Sequence, residues 1–239
     1  VLKGVGVAMG AVVTVAAATA VKLGKEVVNA YADYEQLVGG VDTLFKGSSQ
    51  KLQSYASNAY KTAGLSANDY METVTGFSAS LIQSLGGDTD KSVKYADMAI
   101  TDMADNANKM GTDMSLIQNA YQGFAKQNYT MLDNLKLGYG GTKEEMQRLL
   151  SNAEKISGIK YDISSYADVV DAIHVMQESM DIAGTTAKEA EGTISGSVNA
   201  LKSSVTNLVV GFGDANADLG ELCENVVTAF QTVLENISP

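Results

Sequence analysis

The sequence predicts an all-α protein, and three observations support this fold class. Apolar residues recur three and four positions apart through most of the chain, which is the spacing of one helix face. The one proline stands at the last position, so none interrupts a helix. No run alternates apolar and polar residues as a half-buried strand would. We therefore expect a multi-helix bundle of short helices with longer flanking N- and C-terminal helices.

Polar residues at helix starts divide the chain into nine predicted helices. Each predicted cap begins with a Ser or Thr that is followed three residues later by a second capping residue. The pairs are Ser66 with Asp69, Thr112 with Ser115, Thr142 with Glu145, Ser165 with Asp168, and Thr186 with Glu189. The predicted helices lie at 1–36, 41–63, 66–85, 89–109, 112–137, 142–157, 165–181, 186–210 and 217–237.

Composition groups these helices into three parts. Residues 1–36 form an apolar N-terminal helix, and residues 37–184, with Gly and Ser at the joints, form a compact helical domain. Residues 185–239 form C-terminal helices that either pack on the domain or lead into further chain. Because the sequence starts at Val1 without an initiator Met, we interpret it as a segment of a longer protein.

The stretch Val5–Val21 is uncharged, rich in Ala, Val and Gly, and flanked by Lys3 and Lys22. It is somewhat shorter than the roughly 20 residues that span a bilayer core. Gly6 and Gly10 have the small-xxx-small spacing that lets helices approach closely in lipid. Membrane insertion and close helix packing both remain open for this stretch.

The net charge of −11 and the pI near 4.5 oppose binding to nucleic acid phosphates. We therefore expect no direct, specific nucleic-acid binding.

The residues that usually perform catalysis or bind metals are scarce. His174 is the one histidine and Cys223 the one cysteine, so the common zinc ligand sets cannot be assembled. We predict a partly buried structural imidazole at His174, and a buried thiol at Cys223 because its neighbours are apolar. We expect a non-enzymatic protein with no catalytic residues, no metal and no cofactor.

Two further groups have structural interpretations. Asp97, Asp102 and Asp105 are predicted to form a solvated helix face rather than a paired acid/base site. Asp88 and Asp90 are predicted to cap a helix, because the glycine and glutamate of a calcium loop are missing at the required spacing. The methionines of the middle region are predicted to pack in the core; they are Met98, Met103, Met110, Met114 and Met131.

Several long strings resemble the tail tape measure proteins of bacteriophages and prophages. They are YEQLVGGVDTLF (34–45), AGLSANDYM (63–71), GFSASL (76–81), YADMAITDM (95–103), NANKMGT (106–112), AYQGFAKQNYTMLDNL (120–135) and GYGGT (138–142). The resemblance covers about residues 30–210. Outside it, the Ala/Gly/Val-rich N-terminal segment is similar to that family only in character.

The resemblance implies a structural virion protein of the phage tail. Such a protein helps to set tail length and to assemble the tail, and it aids genome ejection in some relatives. The implied partners are tail tube and tail-tip proteins, tail assembly chaperones, further copies of the chain, and the host membrane during ejection. The segment resembles the globular portion of such a protein, because it lacks the sustained heptad of a coiled-coil ruler. The alternative function is a helical membrane-perforating protein, and a hydrolase is a third possibility without identified catalytic groups.

Overall fold

A computed structural model describes residues 25–237, and these residues form helices and turns without a β-strand. The predicted all-α fold class is confirmed. The stretch Val5–Val21 lies outside the described residues. Within 25–237, every helix is too short or too polar to cross a membrane.

Eleven α-helices and two 3₁₀ turns are described within 25–237. Helix α1 covers 25–45 and is followed by a 3₁₀ turn at Lys46–Ser48. The other α-helices are α2 (Ser49–Thr62), α3 (Ala67–Thr75), α4 (Ser78–Ser84), α5 (Thr89–Met110), α6 (Met114–Phe124), α7 (Lys143–Ser157), α8 (Tyr166–Ser179), α9 (Thr185–Gly192), α10 (Ile194–Gly211) and α11 (Leu219–Ile237). The second 3₁₀ turn lies at Leu132–Leu135.

Helix α5 is at the centre of the bundle and packs against α2, α3, α4, α6, α8 and α9. Its apolar face is fully buried at Val93, Ala96, Ile100 and Met103. The other four methionines of the middle region are partly buried and pack against the same core. The predicted packing role of the methionines is therefore confirmed.

Most of the predicted caps are present. The side chains of Ser66, Thr142 and Ser165 each accept a hydrogen bond from the backbone N–H three residues later. Asp88 accepts the N–H of Lys91 at 2.9 Å, as predicted for a helix cap. These bonds satisfy N–H groups that have no partner inside their own helix.

Two predicted caps are wrong. Asp113, not Thr112, caps α6 and accepts the Ser115 N–H at 2.8 Å. Thr186 does not cap α9, because a distant carboxylate on α5 binds the N–H groups at the start of that helix.

Several predicted boundaries also need correction. Helix α1 continues through Gly39 and Gly40 to residue 45, because Val41 and Phe45 beyond them are fully buried. This burial outweighs the cost of about 1 kcal/mol for each helical glycine. The predicted helix 66–85 is two helices separated at Gly76 and Phe77.

The predicted helix 112–137 ends at Phe124, where the chain reverses direction. Gln127 has φ of +57°, and the following residues return Tyr129, Leu132 and Leu135 to the core. The Tyr129 ring stacks on Phe124 with 6.1 Å between centroids. Core packing thus favours a turn over continuation of the helix.

The predicted helix 186–210 is also two helices. The backbone of Thr193 is extended, and its hydroxyl accepts the N–H of Gly196 to start α10. A Cβ at Gly196 would collide with the Glu189 carbonyl oxygen. The break therefore needs a glycine in the first turn of α10.

Helices α10 and α11 form an antiparallel hairpin. At one end, a Cβ on Gly211 would collide with Leu222 of α11. At the other end, the Asn236 side chain donates to the carbonyls of Glu191 and Thr193. The hairpin packs on the bundle through α10, which contacts α2, α3 and α9.

Candidate functional site

The acidic residues of α5 do not form the predicted solvated face. Asp102 is 1 % exposed and Asp105 is fully buried, while Asp97 is half-buried. Asp97 accepts a 2.8 Å hydrogen bond from the Tyr70 hydroxyl. The prediction is wrong because each carboxylate has a polar partner on another helix, which offsets part of the cost of burial.

Asp102 is paired with His174 of α8. The Nδ1 atom of His174 lies 2.9 Å and 3.0 Å from the two carboxylate oxygens of Asp102. Its Nε2 atom lies 3.4 Å from Oε1 of Glu178, one turn further along α8. His174 is thus a partly buried imidazole that joins α8 to α5, as predicted, with a carboxylate facing each ring nitrogen.

Burial and pairing shift the pKa values of this pair. Loss of solvation raises the pKa of Asp102 to about 6, although the bond from His174 acts in the opposite direction. The hydrogen bond with Asp102 raises the pKa of His174, and the nearby charges of Glu178 and Asp171 add to this shift. The folded protein therefore retains protons here that the unfolded chain releases.

Asp105 binds the start of α9 from outside that helix. Its Oδ2 accepts the Gly184 N–H at 2.5 Å and its Oδ1 accepts the Thr186 N–H at 2.7 Å. A negative group at a helix N-terminus also interacts favourably with the helix dipole. Asp105 therefore ties the link between α8 and α9 to the central helix.

Three neighbouring polar groups are buried without a well-formed hydrogen bond. They are the hydroxyls of Tyr121 and Tyr166 and the amide of Gln177. The Gln177 amide is close enough to Tyr121 to favour its ionised form, but burial dominates and raises the tyrosine pKa well above its usual value. Together with the pair of Asp102 and His174, these groups form a set of buried polar side chains that extends into the core.

This geometry holds helices together. The Nδ1 atom of His174 is bonded to Asp102 and its Nε2 atom lies near Glu178, and within residues 25–237 no three His, Cys, Asp or Glu residues are grouped as a metal site. The sequence signal for burial was the position of Asp102, three residues after the buried Ala99 on the same helix face. The bond from the Gly184 N–H to Asp105 had no sequence signal, because 79 residues separate the two.

Cys223 does not have the predicted environment. Its side chain is exposed on α11. It belongs to a row of apolar or weakly polar residues three or four positions apart, all of them exposed: Leu219, Cys223, Val227, Phe230, Leu234 and Ile237. The prediction was wrong because an apolar helical pattern was assumed to face the core.

Helix α10 also exposes an apolar row that its spacing alone would assign to the core. Its heptad-spaced apolar row is exposed or half-buried and consists of Ile194, Val198, Leu201, Val205, Leu208 and Phe212. The face that it buries is made mostly of small or polar residues, namely Ser197, Ala200, Ser203, Ser204, Asn207, Val210 and Gly211. Helix α10 thus packs on the bundle with its less apolar side.

Contacts with the bundle show where the two rows lie. On α10, Ser203 donates to the Gly64 carbonyl and Asn207 accepts the Ala67 N–H, so that flank faces the bundle. On α11, Asn236 donates to the carbonyls of Glu191 and Thr193, and Thr232 lines a cavity of about 130 Å³ beside α2 and α9. At roughly 100° per residue, both apolar rows fall on the flanks turned away from these contacts. We name the two rows together the outward face.

The outward face contains no charged residue. The three glutamates of α11 lie outside its apolar row by the same helical spacing; they are Glu221, Glu224 and Glu235. Ten consecutive residues of α11, 225–234, carry no charge. An apolar surface of this kind is typical of a protein–protein or membrane interaction site.

Comparisons of the chain with protein-family models, curated proteins and solved structures found no significant match.

Proposed function

We propose that this chain is the globular helical segment of a bacteriophage tail tape measure protein, with a structural role and no catalysis. It would help to set tail length and assemble the tail, and would reside in the virion tail after assembly in the bacterial cytoplasm. The observation that carries the proposal is the ordered series of strings over residues 30–210 that resemble this family.

The geometry supports a structural role. The one histidine joins two helices through Asp102, and the one cysteine lies on an exposed apolar row. The outward face offers an apolar surface for packing against tail tube proteins, tail-tip proteins or other copies of the chain. The net charge of −11 is unsuited to holding DNA directly.

The test uses phage particles from the bacterium that carries the gene. Antibodies raised against the 239-residue chain should label purified tails by immunogold electron microscopy. Inserting about 40 helix-forming residues into the parent protein beside this segment should lengthen the tail by about 60 Å. Tailed particles that lack the chain, or whose length ignores the insertion, would contradict the proposal.

A role in genome passage through the host membrane is the second candidate, and the uncharged stretch Val5–Val21 favours it. A charge in the middle of a membrane-inserted helix costs about 2.5–3.5 kcal/mol on insertion scales. If this stretch enters the membrane, Val13→Asp should leave tails of normal length that fail to deliver the genome. If it only packs inside the particle, the same substitution should impair tail assembly, while normal delivery would exclude an essential membrane role.

A further inference from the structure

The orientation of α10 is the reverse of what burial of apolar surface alone would select, and α11 beside it leaves an apolar row exposed. Phe212 and Phe230 are 59 % and 50 % exposed, whereas small and polar residues face the bundle. Exposing two aromatic side chains and two rows of aliphatic ones sacrifices hydrophobic stabilisation. A partner that covers this face would recover it.

The size of the outward face matches the lower limit for a specific protein interface. The 18 residues of α10 make a helix about 27 Å long, and two adjacent helices about 10 Å wide present about 500 Å². Two such faces packed together bury about 1,000 Å², which is near the threshold for a specific interface.

The pattern of the face fits a second copy of the same chain. The α10 row alternates steps of four and three residues, and the α11 row does so from Val227 onward, which is the spacing with which helices interdigitate in bundles. The glutamates of α11 lie off the face, so pairing two copies brings no like charges into the contact. In contrast, helices that bind anionic lipid carry Lys or Arg beside the apolar face, and Lys202 is the one cation in residues 194–237.

We propose that this chain forms a homodimer in which the outward faces of two copies pack together into a four-helix bundle. In the proposed tail, this dimer would provide the expected self-association between copies of the chain. The dimer depends on the proposed function only for this biological setting. The contact is isologous, since each copy contributes the same two rows.

The test measures the mass of the full 239-residue chain by sedimentation equilibrium under reducing conditions, which prevent disulfides through Cys223. The wild-type chain of 25.1 kDa should show twice that mass at high concentration. Phe230→Glu should weaken dimerisation by about 100-fold or more, because it places an unpaired carboxylate in the contact. Gln231→Glu is the matched control: it adds the same charge to the next, exposed residue of α11, off the face.

A second pair of variants tests α10 independently. Val205→Glu lies on the outward face and should also produce monomers, while Thr206→Glu, at the exposed neighbouring position, should not. Circular dichroism confirms that each variant keeps its helices. A wild-type chain that is monomeric throughout would overturn the dimer, as would dimers that persist in both Phe230→Glu and Val205→Glu.

A lipid membrane is the other partner that could cover the outward face, and binding to vesicles tests it. If the monomeric chain instead binds phosphatidylcholine vesicles, and Phe230→Glu abolishes that binding while Gln231→Glu does not, the face is a membrane surface and the dimer is wrong. None of these solution measurements depends on phage tails. Failure of the dimer and failure of the proposed tail function are therefore separate results.

Discussion

Replacing Asp102 with asparagine should change how pH affects the stability of this protein. The pKa of Asp102 is raised from 3.8 to about 6 by burial, so the folded state binds a proton that the unfolded chain has already lost. The contribution of this group is therefore most favourable below pH 4 and is lost as the pH rises towards 6 and above. The raised pKa of His174 acts in the same direction above pH 6.5.

The size of the effect follows from the shift of Asp102. A difference of about 2 pKa units corresponds to about 3 kcal/mol between the two ends of this range. The asparagine side chain of the variant keeps an oxygen for His174 but does not titrate. Most of this range lies between pH 4 and pH 7, so the stability of Asp102→Asn relative to wild type should rise by roughly 2 kcal/mol between these pH values.

Urea unfolding followed by circular dichroism at several pH values measures this difference. Asp113→Asn is the control with the opposite sign, because bonds from Ser115 lower the pKa of that exposed carboxylate. Its stabilising effect is present above pH 4 and is lost as the pH falls below it. If wild type and Asp102→Asn keep a constant difference in stability from pH 4 to pH 7, the assignment of Asp102 is refuted.

Three further predictions concern a closely packed glycine, the hydrogen bonds of Asp105, and the roles of His174 and Cys223. Gly141→Ala should lower the free energy of unfolding by about 1–3 kcal/mol, since its Cβ would collide with the backbone carbonyl of Thr130, whereas Gly140→Ala should change it far less in the same urea assay. Asp105→Ala should lower the free energy of unfolding by about 2–4 kcal/mol and speed amide exchange at the start of α9, because two partly buried N–H groups lose a fully buried acceptor. Unchanged exchange would contradict this. If the chain has the proposed tail function, His174→Ala and Cys223→Ser should leave particle assembly intact wherever the variant folds. Particles that form but cannot infect would reveal a chemical role.

The helical caps show how far local sequence reasoning extends. Ser66, Thr142 and Ser165 cap helices as predicted, because a side chain and an N–H three residues away meet within one turn. The cap of α9 could not be predicted in this way. Its acceptor, Asp105, belongs to a different helix and meets Gly184 only in the folded bundle.

In the candidate site, too, local features could be predicted from the sequence and burial could not. Apolar spacing predicted helices over 186–210 and 217–237, but it does not specify whether an apolar row faces the core or solvent. Similarly, the acidic residues of α5 were assigned to solvent by their charge, and partners on α8 and α9 placed Asp102 and Asp105 inside.

The sequence by itself determined that the chain is helical, where most helices begin, and that its charge disfavours nucleic acid. Those properties depend on spacing, capping and composition, which are local or additive. Tertiary structure alone decided the burial of Asp102 and Asp105 and the exposure of Phe212 and Phe230. Burial depends on which helices become neighbours, and contacts between residues far apart in the chain make that choice.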